Sequence, residues 1–347
     1  MIQMKIAINK HGDSFTSRWI DYCKENNIHY KIVNSYQTDI IQQVADCDAF
    51  LWHHSHMDSR DVLFAKPLLF SLEFSGKIVF PDFNSNWHFD DKVGQKYLLE
   101  TMGIDLVPSY VFFEKKEALK WLDNTTFPKV FKLRGGSGSS HVKLAKNKTE
   151  AVKLINKAFS RGFSQYDSLT NLKERYRKYR LGKTSLKSVL KGIVRIGHTT
   201  NLAKVKGNEA GYVYFQDFIP NNDSDYRVIV IDDKAFAIKR MVRENDFRAS
   251  GSGHILYGKK EFDNKLIAKS FEVAEKLQSN CVAFDYVVKD GDYLLVEISY
   301  GFKAQGYDQC EGYWTKDLIF HAGGFNPQGW IIERVINDIK AKAAQKQ

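Results

Sequence analysis

The chain has 347 residues, of which 43% are hydrophobic and 14% aromatic. That length and composition suit two or three globular domains and exclude a disordered or fibrous protein. The net charge of +10 is local, because eleven Lys and Arg face one acid, Glu174, between Lys173 and Lys206, so the overall basicity is no sign of sequence-specific nucleic-acid binding.

Met1 to Asn9 turns polar too soon for a secretory signal and reads as a first strand. There is no run of about 18 apolar residues for a membrane span. Cys23, Cys47, Cys281 and Cys310 have neither zinc spacing nor close pairing, so free thiols in a reducing cytoplasm are expected.

Residues 1–107 read as an α/β unit. Strands at Lys5–Asn9, Tyr30–Val33, Ala49–Trp52 and Ile78–Phe80, with amphipathic helices near Thr16–Glu25 and Asp91–Met102, predict a parallel sheet. Gly103 caps the second helix and Pro108 follows it. The third strand runs into Trp52-His53-His54-Ser55-His56-Met57-Asp58, at the carboxyl edge where such sheets bind ligands. A substrate-facing loop and a solvated loop both fit this segment; its spacing is wrong for a helix-borne zinc pair. Pro81 to His88 either lines the same site or is only the turn into the next helix.

A second unit, 108–215, opens with strand Ser109–Phe113 and helix Lys116–Leu122. Strand Lys129–Lys132, the loop Arg134-Gly135-Gly136-Ser137-Gly138-Ser139-Ser140, strand His141–Leu144 and helix Lys148–Phe159 follow. The loop joins strand to strand, whereas Walker A and dinucleotide loops enter a helix. It reads as a flap that closes over phosphates with its backbone N–H groups, or as a solvated hairpin loop. A basic insertion occupies about 165–207. Within it Leu186, Val189, Leu190, Ile193 and Val194 recur at helical spacing, with Lys183, Lys187, Lys191 and Arg195 on an adjacent face. The pattern suits a helix packed by its apolar stripe with lysines in water; the other reading is an anionic membrane surface or an acidic polysaccharide as partner.

The third unit, 216–347, continues strand Tyr212–Ile219 with strands Tyr226–Ile231 and Ala235–Met241, helix Asn264–Leu277 and a closing helix near Gly329–Ala344. Between the helices lies a hairpin whose arms carry Asp285 on one side and Glu297 and Ser299 on the other. A three-residue connection, Lys289 to Gly291, puts all three on one face as diagonal neighbours. Oxygen ligands so grouped suit Mg²⁺, with waters and phosphates completing its shell. A solvent-facing polar stripe is the other reading.

Taken in order, these pieces resemble the ATP-grasp superfamily from Asp91-Lys92 to Gly301. Lys92 opens the helix ending "ETMGIDLVPSYVF", similar to D-alanine–D-alanine ligase, and Lys132 precedes the flap. Gln216-Asp217-Phe218-Ile219 looks like the family's adenine hinge. Asp225-Tyr226-Arg227, and Lys239-Arg240 with Phe247-Arg248, resemble ligases that add glutamate to ribosomal protein tails. Asp285 and Glu297 match the family's metal site, with Ser299 where asparagine is usual.

The resemblance implies a pre-ATP-grasp α/β domain followed by a two-subdomain ATP-grasp fold. It implies ATP and Mg²⁺ (Mn²⁺ as an alternative) as cofactors. Nucleotide would be held by Lys92, Lys132, Gly135, Gly136, Ser137, Gly138, Ser139, Gln216, Asp217, Phe218, Ile219, Asp225 and Arg227; metal by Asp285, Glu297 and Ser299. Lys239, Arg240 and Arg248 would serve catalysis. The implied reaction activates a carboxylate as an acyl phosphate for an amine, with surface-polysaccharide or amino-acid and sugar-acid metabolism as contexts. Rival readings are a kinase of a small molecule and a non-catalytic nucleotide-binding module. Small-molecule acid and amine substrates, the cytoplasm or the inner face of the membrane, and a homodimer are compatible with this.

Overall fold

Apolar runs of three or four residues separated by helices produce the first sheet. The computed structural model describes residues 4–10, 15–136, 141–164, 172, 175–177, 179–180, 182, 184–194, 201–242, 247–248 and 254–345. Here β1 (Ile6–Asn9), α1 (Phe15–Glu25), β2 (Tyr30–Val33), α2 (Ile40–Val44), β3 (Ala49–Leu51), α3 (Ser59–Phe74) and β4 (Ile78–Phe80) alternate, followed by α4 (Phe83–Asn86) and α5 (Lys92–Thr101). The strands pair in parallel in the order β2-β1-β3-β4, as the alternation predicts. The order in which strands are added reverses between β1 and β3, so the histidine loop after β3 lies at a switch point, where such sheets present ligand sites. Asp58, Asp82 and Asp91 cap α3, α4 and α5 by accepting first-turn N–H bonds.

A second, antiparallel sheet has the order β5-β10-β6-β7, built from β5 (Ser109–Phe112), β6 (Lys129–Lys132), β7 (Lys143–Ala145) and β10 (Val213–Asp217). Helices α6 (Lys115–Trp121) and α7 (Lys148–Ala158) cover it, and the group has its own core around Phe131, Phe215 and Ile155. β10 runs through to Asp217, so the boundary expected at 215 falls inside a strand.

The insertion is closed at its base: β8 (Phe163–Ser164) pairs antiparallel with β9 (Asn208–Glu209). Gly162 stands at φ +69°, and a Cβ there would meet Glu209 O at 2.5 Å, so only glycine fits. Between the two strands lie α8 (Leu186–Val194) and α9 (Asn201–Lys206), the latter packed on α3. Lys183 and Arg195 lie outside the described residues.

The third sheet runs β15-β14-β11-β12-β16-β17, with β13 (Ile255–Leu256) beside β12. Its strands are β11 (Ser224–Ile231), β12 (Lys234–Met241), β14 (Cys281–Lys289), β15 (Asp292–Ser299), β16 (Gly312–Thr315) and β17 (Phe320–Ala322). Helix α10 (Asn264–Lys276) packs on one face. The other face shares a core with the first sheet, α1 and α11 (Pro327–Ala344), through Ile8, Phe15, Trp19, Ile229, Phe236 and Ile332. The first and third sheets therefore form one body, against which the second sheet stands with its separate core.

Candidate functional site

Asp290 (φ 53°) and Gly291 (φ 82°) form a two-residue turn between β14 and β15, pairing Lys289 with Asp292. This corrects the three-residue connection expected from sequence. Continued unbroken, that register would set Asp285 opposite Val296 and put Glu297 on the other face. The register instead shifts after Tyr286↔Leu295, Val296 is the extra residue of a β-bulge, and Asp285 sits directly opposite Glu297. The two acids are thus face-to-face neighbours rather than diagonal ones. Ser299, two residues on, bonds through Oγ to Gly301 O at 3.0 Å and Gly301 N at 3.2 Å.

Lys92 reaches the same spot from α5: its Nζ is 3.2 Å from Glu297 Oε1 and donates to Gly136 O at 2.9 Å. Burial would lower the Lys92 pKa, but the charges of Glu297 and Asp90 outweigh it and hold it above the usual lysine value. Lys132, on β6, is buried and donates to Gln216 Oε1 at 2.6 Å. Lacking an equally close carboxylate, it is pushed down by burial to about 8. Gln95, one turn beyond Lys92, bonds through its side-chain amide to both main-chain groups of Ile298.

Asp285 is held among cations. Arg240 Nη2 lies 3.0 Å from Oδ2 and Arg227 Nε 3.4 Å from Oδ1, while Arg240 also grips Asp225 with bonds of 2.6 and 2.7 Å. Burial opposes its charge, yet Arg227 and Arg240 keep the Asp285 pKa below the usual carboxylate value. For Asp225 burial prevails over Arg240 and the pKa is raised.

Adjacent strand residues point to opposite faces, so Lys239 and Arg240 cannot both enter the cleft. Arg240 lines it; Lys239 turns away to Glu261, 3.4 Å off, and lies over the Tyr226 ring. The catalytic role expected for Lys239 is corrected accordingly.

The flap begins with three backbone N–H groups, each bonded to a carboxylate. Arg134 N and Gly135 N donate to Glu209 at 2.9 and 3.2 Å, and Gly136 N donates to Asp90 at 2.6 Å. Asp90 also accepts from Lys206 Nζ at 2.7 Å, tying the end of the insertion to the flap. Ser137, Gly138 and Ser139 lie outside the described residues. Asp90, Gln95 and Glu209 were not singled out from sequence; the polar Gln95 on the buried face of α5 was the one available signal.

All of this surrounds one cleft of about 1340 Å³ between the second and third sheets. Val130, Leu144, Phe218, Val287, Val296 and Ile298 give it an apolar slot beside Gln216–Ile219. Asp217 pairs with Lys129, and Phe218 meets Phe247 edge-on at 6.1 Å. Arg248 lines the cleft, as do His53, His54, Ser55 and His56 from the switch-point loop. His53 stacks on Phe15 at 3.9 Å, and burial lowers the His56 pKa. Of the Pro81–His88 segment, Ser85, Asn86 and His88 are buried and the cleft begins only at Phe89; it is the turn into α5.

No family model and no curated protein sequence matches this chain. Solved structures do. D-alanine–D-alanine ligase from Bacillus anthracis superposes with a TM-score of 0.58 at 16% identity, over 98% of this chain and 99% of that one. A RimK domain ATP-grasp protein from Sphaerobacter thermophilus gives 0.55 at 13%, over 96% and 99%. The biotin carboxylase domain of 2-oxoglutarate carboxylase from Hydrogenobacter thermophilus, in complex with MgADP and bicarbonate, gives 0.56 at 13%, over 94% and 68%.

The chain has the ATP-grasp fold. In this fold Gly136, at the start of the glycine loop, lines the cleft from the side of the second sheet, and the opposed acids line it from the third.

Whether the acids fit a divalent ion is tested by their surroundings. Asp285 Oδ1 is buried and accepts no hydrogen bond. Among the described residues no group of three or more His, Cys, Asp and Glu is arranged to hold a metal. Two opposed carboxylates fit a Mg²⁺ ion that takes its remaining oxygens from phosphates and water; with Ser299 Oγ turned to Gly301, the serine adds little.

Proposed function

We propose that this protein is an ADP-forming ligase that activates a carboxylate with ATP and joins it to an amine or similar nucleophile. The observation that carries this reading is the approach of Lys92 to Glu297, opposite Asp285, in a cleft that Gly136 also lines. Mg²⁺ and ATP bound there would supply a terminal phosphoryl group to the substrate carboxylate, giving an acyl phosphate for the nucleophile to open.

The chain's own residues have the following parts. The apolar slot and the Gln216–Ile219 backbone hold the base, and Lys132 and Lys92 neutralise phosphate oxygens. Gly135, Gly136 and the rest of the flap exclude water, which would hydrolyse the activated acid. Asp285 and Glu297 would hold one Mg²⁺ (or Mn²⁺). Arg227 and Arg240 restrain the Asp285 carboxylate, with Asp225 restraining Arg240 in turn. Arg248 offers a planar fork to the substrate carboxylate. The His53–His56 loop forms the acceptor wall.

Amino acids, sugar acids and amino sugars, including precursors of surface polysaccharides, are the first substrates to try. ADP release that requires both an acid and an amine supports the ligase. Equal release with a hydroxyl or carboxyl compound alone, its phosphorylated form leaving the protein, makes it a kinase and overturns this reading.

A further inference from the structure

The reaction gives no work to the insertion, yet its stretch from Lys173 to Lys206 carries a charge equal to the chain's whole net charge. Its helix α8 already has a packing partner. Val189 is buried, and a Cβ on Gly192 would stand 2.9 Å from Arg175 Cδ and 3.0 Å from Leu172 Cδ1. Arg175 also donates to Ser188 O and Oγ at 3.2 and 2.9 Å.

That contact uses one side of α8 and leaves a different apolar row outside. Leu186, Leu190 and Ile193, at i, i+4 and i+7, are 52%, 54% and 51% exposed. Lys187 and Lys191 flank the row and are exposed as well. The apolar stripe is therefore not the packing face that a soluble amphipathic helix would give it. Nearby, Tyr176 and Tyr179 are exposed, as are Arg177 and Arg180. Among the described residues from 172 to 206 there is no acid.

We propose that α8 docks this protein on an anionic lipid bilayer, lying in the interface with Leu186, Leu190 and Ile193 among the acyl chains and Lys187 and Lys191 at the lipid phosphates. An exposed apolar row beside cations is the chemistry of an interfacial helix, and tyrosines suit the headgroup level. A second copy of the chain is disfavoured as the occupant, because a two-fold contact of α8 would set lysine against lysine, and α8 itself carries no acid to offset them. A polyanionic sugar chain would use the lysines but leave the leucines in water.

The test is flotation of the full chain with vesicles of phosphatidylglycerol and phosphatidylcholine, against vesicles of phosphatidylcholine alone. Protein should float with the anionic vesicles only, and less at high salt. Lys187→Gln with Lys191→Gln should lower the partition by about thirtyfold, at roughly 1 kcal/mol per basic residue. Leu186→Ser, Leu190→Ser and Ile193→Ser together should abolish flotation while thermal unfolding and nucleotide turnover stay as in the parent. Should the triple variant not fold, the lysine pair and the salt dependence decide alone. The proposal is overturned if the parent stays in solution with anionic vesicles, or if both variants float as it does. It is also overturned if the apolar row proves, by light scattering, to hold a dimer that ignores vesicles, or if only an acidic polysaccharide retains the chain.

Discussion

The side-chain amide of Gln95 pairs with the main chain of Ile298 as a neighbouring strand would: Nε2 donates to Ile298 O at 2.8 Å and Oε1 accepts from Ile298 N at 3.2 Å. Ile298 follows Glu297, and Lys92 lies one turn before Gln95 on the same buried face of α5. The pair therefore sets the distance between Lys92 and Glu297. Gln95→Met keeps the volume but strands two buried main-chain groups, at about 1–3 kcal/mol each. Urea unfolding should show a loss of about 2–6 kcal/mol at unchanged m-value, and the nucleotide affinity of the folded variant should fall. A variant as stable as the parent would remove Gln95 from this role.

Glu297→Ala removes one of the two opposed acids and the carboxylate that pairs with Lys92. Because even groups that only orient metal ligands are worth 10–100-fold, ATP turnover should drop by more than about a hundredfold. The protein should remain folded, since Glu297 is partly exposed. Unimpaired ADP formation would dismiss the metal assignment.

Lys132 predicts a proton linkage. Its pKa in the free protein is about 8, below the usual lysine value, so burial disfavours the charged form. Bound phosphates would favour that form again. Nucleotide binding near pH 9 should take up a proton, and binding near pH 6.5 should not, on the linkage of charge to binding. Titration calorimetry in two buffers of different ionisation heat measures the uptake, and Lys132→Met should abolish it. For stability the sign is opposite: folding releases a proton at this lysine, so its contribution improves as pH rises from about 8 towards its unfolded value.

Arg240→Leu should be costly for folding, because it leaves Asp225 and Asp285 buried without the guanidinium that bridges them. Breaking a buried ion pair on one side costs about 3–5 kcal/mol. The deficit should be largest near neutral pH. Asp285, with a depressed folded pKa, contributes stability above its unfolded value and loses it as pH falls through the lower folded one. Urea midpoints of parent and variant should therefore converge in acid; a constant gap would exclude the charge-pair account.

Much of this was legible in the sequence because its signals are local. Strand alternation gave the parallel sheet, and the Asp290-Gly291 turn gave the hairpin. Whatever depends on pairing was not legible. A bulge at Val296 decides which face Glu297 takes, and strand phase decides that Arg240, not Lys239, enters the cleft. Helix α3 was overlooked: it contains Pro67, and its apolar residues do not form a clean stripe. Asp90 and Glu209 act on backbone N–H groups 46 and 75 residues away, which no spacing rule anticipates. The periodicity of α8 foretold a helix but not that Leu186, Leu190 and Ile193 would face outward.

The ladder of Phe163–Ser164 with Glu209–Asn208 brings the two ends of the basic segment side by side. A chain in which a short turn joined Ser164 directly to Asn208 would still close that ladder, at the expense of the Lys206 contact to Asp90 and of the packing of α9 on α3. A segment closed at its base in this way can be altered in length with little demand on the two strands that carry it. Cellular address and chemistry would then change independently of each other.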